Sequence, residues 1–178
     1  ETEIITTLGS KEGLANLASA ITAPGDLVLV PNPTYPIHAY GFMIAGGTLR
    51  HIPSLANGNF NAEDYLRNLS RAVMHSIPKP IALVVSFPSN PTAQLCDLAF
   101  YRELVRFALK HSIWILSDLG YAEIYFDDNP PPSIMQVDGA KEIAIEFTSM
   151  SKTFSMAGWR VGFAVGNRHL INALTRIK

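Results

Sequence analysis

The alternation of two kinds of segment is what most constrains this chain. Short apolar runs, many of them β-branched, recur as DLVLVP at 26–31, GTLRHIP at 47–53, IALVVSF at 81–87, SIWILSD at 112–118, EIAIEF at 142–147 and RVGFAV at 160–165. Most are too continuously apolar for a sheet with one wet face, so they read as strands covered on both sides. Between them lie helical patterns. In 10–23, Leu14, Leu17, Ala18 and Ile21 fall on one face, with Ser10 placed as N-cap. The segments 61–75 and 97–111 open on Asn61 and Asp97, both good caps. Strands alternating with helices predict an α/β fold, a mainly parallel sheet sandwiched by helices. In such sheets ligands collect beyond the C-terminal ends of the strands.

Composition narrows the partners. A chain of 178 residues with 48% hydrophobic and 16% charged residues has enough apolar material for one packed domain, spanning 1–178. The net charge of −1, with no dense Lys/Arg run, argues against nucleic acid or an anionic membrane as partner. Cys96 is the single cysteine, so no disulfide framework or thiolate metal cluster is expected. None of the five histidines pairs at a metal-ligand spacing. No apolar run reaches the roughly 18 residues of a membrane span, and no signal-peptide pattern opens the chain. A cytoplasmic domain is the expectation. The sequence opens directly into EIITTLGSKEGL and closes inside the amphipathic RHLINALTRIK, which suggests a piece of a longer protein.

Polar residues gather where the strands should end. SFPSNPT at 86–92 follows one buried run and carries Asn90, either in a plain turn or pointing into the crevice. Asp118 ends the next run, with Tyr121 three residues on. A carboxylate there is costly without a cation or several donors, unless it simply caps the next turn. GSKEG at 9–13 puts Ser10 and Lys11 at a helix N-terminus, whose free N–H groups suit a phosphate or merely begin a capped helix. SMSKTFSMAGWR at 149–160 places Lys152 among hydroxyls, with Ser149, Ser151 and Arg160 able to donate to one phosphate. An amine nucleophile, a phosphate cradle, an acid for a protonated ring nitrogen, and an amide and phenol for a ring oxygen together make the set that pyridoxal phosphate needs.

These motifs carry a resemblance. Ser149-x-Ser151-Lys152 followed by Gly158-x-Arg160-x-Gly162, with FPSNPTA, DLGYAE and NPTYPIH, resembles the cofactor-binding large domain of the fold-type I, class I/II aminotransferases. The resemblance covers about Gly9 to Asn167. It implies pyridoxal 5′-phosphate as cofactor and Lys152 as the Schiff-base lysine, expected to be buried. It implies Asp118 as partner of the pyridine nitrogen, with Asn90 and Tyr121 on the ring oxygen. Ser10, Lys11, Ser149, Ser151 and Arg160 match phosphate contacts. Tyr35 matches the aromatic residue stacked on the ring, and His38 the histidine supporting the aspartate. The Asn90–Pro91 bond is expected to be cis. The finer wording of PNPTYPIH and MSKTFSMAGWR is most similar to glutamate–pyruvate (alanine) aminotransferases, with LL-diaminopimelate and aspartate aminotransferases as alternatives. Substrates would then be an amino acid and a 2-oxo acid, and the assembly a homodimer. In relatives a C-terminal small domain and an N-terminal segment complete the site, so a piece without them is expected to turn over poorly. A cofactor-binding sensing module, or an inactive scaffold, is the alternative of a different class.

Overall fold

In a computed structural model of the chain, which describes residues 2–178, the apolar runs are strands whose alternate side chains feed two cores. The strands are β1 (Ile4–Thr7), β2 (Leu27–Asn32), β3 (Thr48–Pro53), β6 (Pro80–Val85), β7 (Trp114–Asp118), β8 (Ala144–Ser149) and β9 (Gly162–Gly166). They form one seven-stranded sheet in the order β1-β9-β8-β7-β6-β2-β3. The neighbours from β8 through β7, β6 and β2 to β3 are parallel. Only β9 runs the other way, antiparallel to both β8 and β1. A separate hairpin, β4 (Leu55–Ala56) with β5 (Asn59–Phe60), follows β3.

One core packs Leu29, Leu83, Val85 and Ile115 of the sheet against α3 (Ala62–Met74) and α4 (Leu98–His111). It contains an aromatic cluster, with the Phe60, Phe87 and Phe100 rings 4.7 to 5.6 Å apart. The other core packs Val28, Val30, Ala82, Val84, Leu116, Ile145 and Phe147 against α1 (Ser10–Ile21), α2 (Pro36–Ile44) and α7 (Arg168–Ile177). Residues 28 to 30, 82 to 85 and 115 to 116 alternate between the two cores, which is why those runs carry no polar stripe. No described helix is long and apolar enough to cross a membrane.

The expected caps divide. The Asn61 Oδ1 accepts from the Asp64 N–H at 2.9 Å and the Asp97 Oδ1 from the Phe100 N–H at 2.7 Å. Ser10 does not cap α1: Gly9 is the cap residue, with φ 82° and no side chain to offer, and Ser10 is the first helical residue. Asp97→Ala should therefore cost about 1 kcal/mol by urea unfolding, and Ser10→Ala far less. The run at 142–147 also shifts. Gly139, in the left-handed region, starts a helical turn, α5 (Ala140–Ile143), so the strand covers Ala144–Ser149 instead. The periodicity did not mark α2, because Tyr40, Met43 and Ile44 leave apolar side chains on its exposed face.

Candidate active site

The strand order brings scattered residues to one edge of the sheet. β1 ends at Thr7 and leads to Gly9–Lys11, β2 leads to Tyr35, and β6 leads to Ser86 and Asn90. β7 ends at Asp118 and leads to Tyr121, and β8 ends at Ser149 and leads to Lys152 on α6 (Met150–Thr153). Because β9 is reversed, its first residues lie at the same edge, and Arg160 just before it joins the others. These residues, Thr7 and Gly9 apart, line one cleft of about 590 Å³. Every site residue expected from the sequence lines it except His38, which lies behind Asp118.

Two patches of opposite character share the cleft. At one end, α1 begins on a glycine with no side-chain cap, so its first-turn N–H groups are free to meet an anion. Arg160 closes this end. It donates to Leu8 O at 2.9 Å, Ser151 Oγ at 3.2 Å and Ala157 O at 3.2 Å, and still has N–H donors in hand. The turn and the guanidinium meet closely. A Cβ at Gly9 would sit 2.6 Å from Arg160 Nη2, and one at Gly162 only 2.9 Å from Gly9 Cα. Ser149 turns its hydroxyl to the Ser151 N–H at 3.3 Å, capping α6.

Asp118 makes the other patch. Its Oδ2 takes the His38 Nε2–H at 3.0 Å, and Thr34 Oγ1 stands 2.7 Å from His38 Nδ1. An ionised carboxylate only accepts, so Nε2 carries a proton, and in the neutral ring Nδ1 then accepts from the Thr34 hydroxyl. His38 is fully buried. Asp118 lines the cleft, and its Oδ1 is buried with no hydrogen-bond partner among the described residues. A buried carboxylate oxygen without a donor is costly unless a ligand supplies one.

Between the patches, Asn90 Nδ2 donates to the Tyr121 hydroxyl at 3.2 Å, which leaves the phenol's own proton for a ligand. Lys11 Nζ stands 5.5 Å from the centre of the Tyr35 ring. The Asn90–Pro91 bond is cis. Lys152 lines the cleft but is exposed, not buried as expected. Phe154, Ser155 and residues 157–160 after it are exposed too, so this wall stands open to solvent.

Three lining residues and one support were not picked out from the sequence. Ser86 opens the SFPSNPT motif yet drew no attention beside Asn90, and Ala157 lies inside the lysine motif. Gly120 lets the chain pass Asp118, since a Cβ there would lie 3.3 Å from its Oδ1. Thr34 stands four residues before His38, a spacing that would have paired them had α2 been foreseen.

The family described as aminotransferase class I and II matches residues 1–178. The chain is 62% identical along its whole length to the putative aminotransferase AatC of Rhizobium meliloti, covering 43% of that protein. It is 50% identical to the glutamate-pyruvate aminotransferase AlaC of Escherichia coli, covering 42% of it. It is 43% identical to the LL-diaminopimelate aminotransferase of Aquifex aeolicus, covering 44% of it. Among solved structures, the apo form of BacF from Bacillus subtilis superposes with a TM-score of 0.89 at 36% identity, over 98% of this chain and 43% of that one. The chain thus spans less than half the length of these relatives.

Proposed function

Because the chain belongs to the class I and II aminotransferases, we propose that it is the cofactor-holding part of an enzyme that moves an amino group between an amino acid and a 2-oxo acid. Enzymes of this family work with pyridoxal 5′-phosphate, and the cleft suits that group. The observation that carries the reading is the pairing, in one cleft, of an open anion site with a buried, unpartnered carboxylate oxygen and a lysine amine.

Bound there, the cofactor would supply an aldehyde that links to amines and a ring that accepts electrons. Everything else falls to the chain. The first-turn N–H groups at Ser10 and Lys11, with Ser149, Ser151 and Arg160, hold the phosphate. Asp118, steadied by His38, would accept from a protonated ring nitrogen and favour its charged form. Tyr121 donates its free O–H to the ring oxygen, and Asn90 orients the phenol. Tyr35, on the cleft wall, would offer its aromatic face to the cofactor. Lys152 Nζ would be the amine that meets the aldehyde and, when free, the base placed to take the proton from the substrate Cα. Its exposure leaves room for an incoming amine.

Arg160→Lys keeps the charge but loses the fork that reaches Leu8 O and Ser151 Oγ together. Affinity for pyridoxal 5′-phosphate should drop about tenfold, or about 1.4 kcal/mol, by fluorescence titration.

The substrates we propose are L-alanine and 2-oxoglutarate, supported by the identity to a glutamate-pyruvate aminotransferase. A cytoplasmic homodimer is the assembly this reading takes, with the exposed Phe154 and Trp159 beside the cleft as apolar surface for a second copy. The test supplies the protein that carries this chain with cofactor, L-alanine and 2-oxoglutarate, and follows pyruvate. Alanine-dependent pyruvate is the expected result. Turnover of LL-diaminopimelate alone would keep the transfer and change the substrate. Cofactor binding with no amino donor consumed would defeat the transfer itself.

A further inference from the structure

Glu146 is buried, at 2% exposure, and the site chemistry above does not use it. No cation pairs with it among the described residues. It takes three donors instead: Ser117 Oγ at 3.0 Å and the Ile134 N–H at 3.1 Å on Oε2, and the Ser133 hydroxyl on Oε1. The titratable groups around it are Asp118 on the neighbouring strand and Tyr101 and Cys96 from the α4 side. Burial pushes its carboxyl above the ordinary range, and the three donors pull the other way.

The three donors come from either side of one loop. Ser117 immediately precedes Asp118, and it faces Glu146 across the β7–β8 ladder. Ser133 and Ile134 close the loop that begins after Asp118 and carries Tyr121. That loop has little else to hold it. Residues 123–130 are exposed. Among the described residues, 120–132 make a single hydrogen bond to the rest of the chain, from Asn90 to the Tyr121 hydroxyl at 3.2 Å. Glu146 itself lies on β8, the strand that delivers Ser149 and Lys152.

We propose that Glu146 is a positioning residue: its carboxylate ties Ser117, in β7 just before the 119–133 loop, to Ser133 and Ile134, which close it, and so sets Tyr121 and Asp118 against Lys152. The proposal rests on the reading of the cleft as a pyridoxal phosphate site only for its consequence in binding. Removing the carboxylate leaves two hydroxyls and an N–H buried without their acceptor. Glutamine keeps an oxygen for Ile134 and Ser117 and turns an NH₂ toward Ser133, whose hydroxyl can accept.

The test compares Glu146→Ala with Glu146→Gln by amide hydrogen exchange on the cofactor-free chain, and by affinity for pyridoxal 5′-phosphate. In the alanine variant, exchange at Leu119, Gln136 and Val137, the amides flanking the loop, should rise roughly tenfold while those of β2 and β6 hold. Cofactor affinity should fall with it, and the glutamine variant should restore both. Unchanged exchange at those amides, or a rise spread evenly over the sheet, would overturn the proposal. Should the alanine variant fail to fold, Ser117→Ala carries the same test from the β7 side, with a local rise supporting and no rise refuting. A wild-type chain that binds no cofactor would defeat the function proposed above, and the exchange measurement would still decide the role of Glu146.

Discussion

Lys152→Ala should abolish covalent retention of pyridoxal 5′-phosphate while leaving a reversible complex behind. Holding the phosphate falls to Arg160, Ser151 and the start of α1, none of which touches the Lys152 amine through a hydrogen bond in the structure. Phosphate affinity therefore survives the substitution in part, and the link to the aldehyde does not. Amino transfer should fall with it by roughly 100- to 10,000-fold, the contribution of a positioned proton-transfer group. Denaturation after borohydride reduction separates the two states: wild type should keep its cofactor, and the variant should release it. A reducible adduct on another lysine, Lys11 above all, would move the assignment there.

Asp118→Asn is the second large effect. Asparagine preserves the shape and an acceptor for His38, but removes the negative charge of a carboxylate whose Oδ1 has no partner. Without that charge the proton on the ring nitrogen is no longer held. The single-turnover half-reaction with L-alanine, in the protein that carries this chain, should slow by roughly 100- to 1,000-fold, the loss typical when one preorganised charge-stabilising group is removed. Cofactor should still bind, since Asp118 does not reach the phosphate end. A variant that turns over near the wild-type rate would sink the role given to this carboxylate.

Much of this site was legible before the fold was known, for a physical reason. A buried parallel strand is a continuous apolar run, so the first polar residues after it mark the edge where ligands gather. Asn90, Asp118, Tyr121, Ser149 and Lys152 all announce themselves this way. What depends on tertiary pairing did not. His38 meets Asp118 across 80 residues, and only the family resemblance joined them. Nothing in RVGFAV says that its strand runs backward, although that reversal is what brings Arg160 to the cleft. Ser10 looked like a cap because serine favours that position, but the preceding glycine adopts a φ of 82° and takes the place itself. Glu146 was the least visible. In EIAIEF it is one of two glutamates among four apolar residues, and its partners come from segments 12 to 29 residues away. The expected burial of Lys152 failed for the opposite reason: α6 and the residues after it carry no cover of their own.

The central claim is that this cleft holds pyridoxal 5′-phosphate on Lys152, and reduction followed by peptide mapping tests it most directly. The chain is incubated with the cofactor, treated with borohydride, digested, and its peptides weighed. The account requires one reduced phosphopyridoxyl group per chain, on the peptide containing Lys152, with free phosphate slowing its incorporation by competing for the site at Arg160 and α1. A chain that takes up no cofactor, or that carries it on lysines scattered over the surface while Lys152 stays unmodified, would contradict it.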